Sequence, residues 1–159
     1  MVAPASMLAG ELIADSNTMA TPLGPLASEH SWLDAVETAV IGFRRETQHR
    51  YMQSIPGMRA LRIDAGGRPA GYAYVSAEGH IGPMLAAPGT DEAAIVLATI
   101  REGLVGAPKQ VSLIVPGRAE RIVAALSPLG FRIEESMLLM AANSFGDWSR
   151  YLPNSPGVM

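Results

Sequence analysis

The stretch from Met58 to Ala86 constrains the fold most. MRALRID, PAGYAYVS and HIGPMLA are three short runs of strand character, parted by AGGR and SAEGH. Gly66 and Gly67 suit the positive φ of a tight turn, and the aromatic and β-branched residues of the second run suit a pleated, half-buried surface. Two hairpin signals in succession predict an antiparallel meander. Pro83 offers no ladder donor, so the third strand must bulge or end there, or lie at an edge. At Thr90 or Asp91 the period changes. Ala94, Leu97, Ala98 and Arg101 recur on neighbouring helical turns, Ile95 and Val96 widen the apolar face, and Gly103, Gly106 and Pro108 stop the helix.

The flanks extend this order. Ser31 and Asp34 approximate a capping box, and Trp32, Val36, Ala39, Val40 and Phe43 follow at helical spacing, so a helix is predicted from Ser31 to about Met52 or Gln53. Ile55, Pro56 and Gly57 end it. Beyond the meander and its helix, Val111 to Val115 reads as a strand buried on both faces, Gly117 to Gly130 as a second amphipathic helix broken near Pro128, and Phe131 to Ala142 as a last strand. From Asn143 the chain reads as a loop that docks through Phe145, Trp148 and Tyr151. Residues 1–29, punctuated by Pro4, Pro22, Gly24 and Pro25, read as a flexible arm or linker with at most one short strand or helical turn around Met7 to Ile13. Residues 30–159 form the domain. The fold class expected is α+β, a mixed α/β layer in which helices cover a curved, mostly antiparallel sheet.

Composition narrows the function. At 159 residues the chain fits one domain, and 48% hydrophobic with 17% charged residues is ordinary for a globular protein. A net charge of -3 argues against non-specific binding of nucleic acid. No apolar run approaches the roughly 20 residues that span a bilayer, and the N-terminus lacks the pattern of a secretory signal, so no membrane partner and a cytoplasmic location are expected. The absence of cysteine excludes disulfides, thiolate metal sites and a cysteine nucleophile. His30, His49 and His80 have no ligand spacing, and no metal is expected. Arg44, Arg45, Arg50, Arg59, Arg62 and Arg68 lie close in sequence, offset by Glu46 and Asp64. Such a cluster is a solvated face or a contact for an acidic group. Arg45 and His49, four apart, share one helical face that could grip such a group.

The order helix, three antiparallel strands, helix, strand, helix, strand, carried by GRPAGYAYVSAEGHIGPMLA and VSLIVPGRAERIVAALSPLGFRIEESMLLM, resembles the GNAT superfamily of acyl-CoA-dependent N-acetyltransferases. LGFR, Leu129 to Arg132, matches the Gly-Phe that closes a helix before a strand in that family. The pairing of IGPMLA with a Met-rich strand is more specifically similar to the C-terminal domain of tandem GNAT proteins. The resemblance spans about Ser31 to Ala142 and lacks a clear first strand with its helices. It implies a GNAT-like curved sheet with a central splay, flanked by helices, and acetyl-CoA as co-substrate.

What the resemblance implies for the site is specific. The thioester would lie along Ile81, Met84 and Leu85, and the pyrophosphate at the amides of Gly89, Thr90, Asp91 and Ala93. His80 would serve as catalytic base, with Glu78 as a weaker candidate. The residues themselves pull the other way. The family's basic loop residue and its Tyr before Gly-Phe are missing, and Asp91 and Glu92 add negative charge where pyrophosphate would sit. Like charges about 4 Å apart at an effective dielectric near 20 repel by roughly 4 kcal/mol, against about 0.3–1 kcal/mol from a helix end. Two readings therefore stay open. One is an N-acetyltransferase acting on the primary amine of a small molecule or peptide. The other is a catalytically degenerate GNAT-fold domain serving dimerisation, partner binding or regulation, paired with a second copy or with an upstream GNAT domain.

Overall fold

The computed structural model describes residues 1–8, 12, 17–138, 140 and 144–155. In chain order these form β1 (Val2–Pro4), α1 (Ala5–Leu8), β2 (Thr18–Pro22), α2 (Leu26–Ile41), α3 (Glu46–Ser54), β3 (Arg59–Ala65), β4 (Arg68–Val75), β5 (His80–Ala86), α4 (Glu92–Gly103), β6 (Gln110–Leu113), α5 (Glu120–Leu126) and β7 (Tyr151–Leu152). A 3-10 turn, Ser127–Leu129, closes α5 at Gly130.

The predicted meander forms. β3 pairs antiparallel with β4, and β4 with β5, as the glycine turns require. The register of the β4–β5 pair shifts between Ala73 and Val75. There Gly82 and Pro83 together oppose Tyr74, so the residue without an amide proton sits in the bulge. β5, α4 and β6 make a parallel crossover, with His80 opposite Ser112 and Ile81 opposite Leu113. The strand order is β1-β6-β5-β4-β3-β2. β2, which lies within the residues read as an arm, pairs along its whole length with β3.

Alternation along the strands divides the core in two, because successive side chains point to opposite faces. Ala73, Val75, Ile81, Met84 and Leu152 face α4 and α5, where Ile95, Val96, Ile100, Ile122 and Leu126 close over them. Tyr72, Tyr74, Leu85 and Tyr151 face α2 and α3, against Leu33, Val36, Val40, Ile41 and Met52. The two-residue strand β7 thus places one side chain in each core.

Three expectations are corrected. The mixed α/β class with a largely antiparallel sheet forms, but the curved sheet with a central splay does not, because the sheet stays open and neither curls nor closes. Beyond Leu113 β6 no longer flanks β5, and β7 pairs there instead, Met84 with Leu152 and Leu85 with Tyr151. Backbone groups of β5 that a splay would leave unpaired are thereby satisfied. Second, the helix expected from Ser31 to Gln53 is two helices, and it starts earlier, after Pro25, so Ser31 lies inside α2 and caps nothing. Gly42, at φ 89, ends α2 by accepting the left-handed conformation, its N–H donating to Glu37 O and Thr38 O. Third, the strand expected over Phe131 to Ala142 does not form among the described residues 131–138 and 140, while Leu139 and residues 141–143 lie outside the described part. Arg132 makes an isolated antiparallel bridge to Val2, and that register carries the following residues off the end of β1.

Gly71 reports how closely the layers approach. A Cβ there would lie 2.5 Å from the Leu85 carbonyl oxygen and 3.0 Å from Ile95 Cγ2. The carbonyl belongs to a paired central strand and has no room to give. Gly71→Ala should therefore lower unfolding free energy by about 1–3 kcal/mol, measured by urea denaturation against the unmodified chain.

Candidate functional site

The break between α2 and α3 builds a dense, buried polar cluster. After Gly42 the chain reverses, and the Arg45 amide donates to Glu37 Oε2 at 2.8 Å while its Nε donates to Glu37 Oε1 at 3.0 Å. His49, one turn along α3, brings Nε2 to 3.0 Å from the same Oε1. From the sheet, the Tyr72 hydroxyl donates to Oε1 at 2.8 Å, and the Tyr74 hydroxyl pairs with His49 Nδ1 at 2.7 Å. Arg45 then reaches past the carboxylate. One terminal nitrogen contacts the Tyr72 hydroxyl and the other donates to the Tyr151 hydroxyl at 2.5 Å, with the guanidinium 4.6 Å from the Tyr151 ring centre.

Burial makes this cluster consequential. Glu37, Tyr72 and Tyr74 are 0% exposed, and Arg45 and His49 are buried. Burial alone would push the Glu37 carboxyl up, but the hydrogen bond from His49, the charges of Arg45 and His49 and the hydrogen bond from Tyr72 outweigh it and hold the group below its ordinary range. For Arg45, burial pushes down, yet Tyr72, Tyr151 and Glu37 raise it, so it stays charged. Burial raises Tyr72, Tyr74 and Tyr151, which therefore remain protonated donors. Both carboxylate oxygens are engaged and the group has no solvent exposure, so Glu37 is a structural anchor.

Above the helix break lies a cleft of about 310 Å³ lined by Asp34, Arg44, Arg45, Glu46 and Thr47. Its charges are already paired within the protein: Arg44 with Asp34 at 3.2 Å, Glu46 with Arg50 at 2.5 Å, and Arg45 with Glu37 at 2.9 Å. Arg59 pairs with Glu102, and Arg62 with Glu29 and Asp64. The run of arginines seen in sequence is thus largely consumed by internal acids.

The residues expected to hold a thioester and pyrophosphate run along β5 and through the turn into α4. Ile81, Met84 and Leu85 are fully buried in strand. Gly89, at φ 80, and Thr90 turn the chain into α4, and the Thr90 hydroxyl donates to Ala87 O at 2.7 Å. Asp91 caps α4, its Oδ1 accepting from the Ala93 amide at 3.1 Å. Glu92 is buried. Their charge is met from distant elements. Arg121 of α5 lies 3.0 Å from Asp91 and 3.3 Å from Glu92, and Arg150 lies 3.5 Å from Glu92. Arg150 also donates to Ala87 O at 2.8 Å and to Thr90 O at 3.1 Å, so its side chain lies against the turn.

The C-terminal segment occupies the flank of β5 that this site would need. Besides the β7 pairing, the Ala86 amide donates to Arg150 O at 2.9 Å. A Cβ on Gly82 would stand 2.8 Å from Pro153 O and 2.9 Å from Asn154 Cα, so only glycine lets the two backbones meet. His80 has both ring nitrogens engaged, Nδ1 with the Ser112 hydroxyl at 2.9 Å and Nε2 with Asn154 O at 2.8 Å. Glu78 stays exposed in the turn before it. The expected cofactor residues run from Ile81, near the start of β5, to the head of α4, while Glu78 is exposed and His80 is joined to the tail. The backbone of the tail lies beside Met84 and Leu85, where the resemblance would place the thioester.

Sequence reading missed Glu37 and Tyr151 as members of a shared cluster. One signal was present: Glu37 lies beside Val36 and three residues before Val40, on the apolar side of its helix, where an acid requires partners. Arg45 and His49 do share a face and do grip an acid, but the acid is internal.

No protein-family model matches the sequence, and no curated protein matches it. Among solved structures, "GCN5-related N-acetyltransferase from Kribbella flavida" aligns with 69% of this chain at 16% identity and a TM-score of 0.44. That is a distant, partial likeness to a GNAT-superfamily protein. The chain spans 44% of the length of that protein. No helix among the described residues is long and apolar enough to cross a membrane.

Removing the Glu37 charge should be costly, because it leaves the Arg45 guanidinium buried without its counter-ion. We expect Glu37→Gln to destabilise by about 3–5 kcal/mol. Its lowered carboxyl pKa also fixes a sign. The stabilisation is complete above the unfolded carboxylate range near 4.3 and is lost as pH falls through the lower folded value. Thermal melts between neutral and strongly acidic pH should show a steeper acid loss for the unmodified chain than for Glu37→Gln.

Proposed function

We propose that this chain is a non-catalytic domain that works through protein contact, using an acetyltransferase-like layer architecture as a scaffold. The observation that carries the reading is the seating of Tyr151 and Leu152 against Leu85 and Met84, where a thioester would have to lie. Supporting it, Asp91 is spent on capping α4, both nitrogens of His80 are bonded within the chain, and Arg150 covers the turn around Gly89. A thioester lying along Met84 and Leu85 would have to displace paired backbone and two core side chains.

The second reading is acetyl transfer from acetyl-CoA to a primary amine, with the C-terminal segment moved aside. One geometric feature favours it: Gly89 keeps a positive φ at the head of α4, and Arg121 with Arg150 offsets the two acids there. Neutralised acids at a helix N-terminus repel an anion less than bare ones.

Isothermal calorimetry of the full chain with acetyl-CoA separates the two. We expect no heat and no thermal shift at millimolar ligand. Saturable binding would overturn the protein-contact reading, and acetylation of any amine in the same mixture would establish the second.

A further inference from the structure

Parallel pairing of β5 with β6 sets His80 opposite Ser112. Their chain neighbours Ile81, Val111 and Leu113 fill the core under α4 and α5, so both side chains leave the sheet on its other face. There the Ser112 hydroxyl stands 2.9 Å from His80 Nδ1, and His80 Nε2 stands 2.8 Å from Asn154 O. A carbonyl oxygen only accepts, so Nε2 carries the ring proton. In the neutral ring Nδ1 is then a lone pair, and the serine hydroxyl donates to it. The backbone holds the residue in place as well. The His80 amide donates to Ser76 Oγ at 3.2 Å, and the Ser76 amide donates to His80 O at 2.9 Å. A hydroxyl bonded to a basic nitrogen, with the ring oriented from its far side by a third group, is the arrangement that activates a serine oxygen as nucleophile. Ser112 and His80 are both partly exposed, unlike the buried residues on either side of Ser112.

We propose that Ser112 is an acyl acceptor, taking one acyl group from an activated carboxylic ester with His80 as base. The site goes beyond the protein-contact reading and does not rest on it, since Ser112 lies on β6, outside the pairing of Met84 and Leu85 with β7. In the transfer, Ser112 Oγ bonds to the carbonyl carbon of the ester and its proton passes to His80 Nδ1. The bond from that carbon to the leaving oxygen then breaks, and the leaving oxygen keeps the electron pair and takes the proton from Nδ1. Nothing is oxidised or reduced. The strand amides beside the serine are already taken, Ser112 N by Gly79 O at 3.1 Å and Leu113 N by Met1 O at 2.8 Å. They hold no oxyanion, so the donor must bring a good leaving group. The product is an alkyl ester without one, and the acyl group stays on the serine. Ser112 is thus modified once and does not turn over, which a protein-contact domain can accommodate.

The full chain is incubated with p-nitrophenyl acetate, nitrophenolate release is followed by absorbance, and acetylated residues are located by mass spectrometry of peptides. The chain has no cysteine to compete for the ester. We expect an acetyl group on Ser112, at a rate that His80→Gln lowers about a hundredfold or more. Acetylation of the exposed Lys109 should be equal in both chains. Ser112→Ala should remove the fast phase of nitrophenolate release. Ser54, an exposed serine whose hydroxyl donates to Tyr51 O at 2.7 Å, is the control within the same chain and should stay unlabelled. A purely structural role for the Ser112–His80 bond predicts no difference between the two serines. Should His80→Gln fail to fold, the comparison of Ser112 with Ser54 in the unmodified chain decides. No acetyl group on Ser112, labelling no faster than at Ser54, or a rate unchanged by His80→Gln overturns the assignment. The acetyl-CoA titration tests the strip along Met84 and Leu85 and is independent of this result.

Discussion

A carboxylate with no solvent exposure must find its compensation inside the protein, and Glu37 draws it from three elements at once. The α2–α3 turn supplies Arg45, α3 supplies His49 and β4 supplies Tyr72. Removing such an ion from water costs several kcal/mol, which only well-directed partners offset. Arg45 carries the constraint further, since the guanidinium that pairs with Glu37 also donates to Tyr151 and lies over its ring.

Through Tyr151 the buried charge reaches the C-terminus, and there it decides what the sheet does. β6 flanks β5 only as far as Leu113, and the remaining edge of β5 would otherwise expose unpaired amides and carbonyls next to apolar side chains. β7 closes that edge with two residues, one for each core. The same closure engages His80 and brings Arg150 onto the turn before α4.

Much of the architecture was legible in sequence because it depends on local terms. The glycines between the meander strands, the alternation of Tyr72 and Tyr74 with Ala73 and Val75, and the helical spacing from Ala94 to Arg101 each reflect backbone preference and a single buried face. The docking of the tail by Phe145, Trp148 and Tyr151 was readable from its aromatic residues. The failures share a cause. The apolar run after Arg132 has strand composition, yet a strand needs a neighbour, and the register set by the Val2 bridge provides none. Gly42 splits a helix whose apolar spacing looked continuous. Asp91 and Glu92 looked repulsive as isolated acids, but Arg121 and Arg150, which meet them, lie 30 and 58 residues from Asp91 and Glu92 respectively.

By itself, the sequence determined the antiparallel meander, the helix and strand that follow it, and the absence of thiol chemistry. These follow from periodicity, turn residues and composition, all of which act over a few residues. Only the tertiary structure decided that the flank of β5 is filled, that Arg45 and His49 close on Glu37, and that the helix-end acids are paired. Each of those outcomes joins groups far apart in the chain, and their cost or benefit exists only once burial removes the water that would otherwise solvate them.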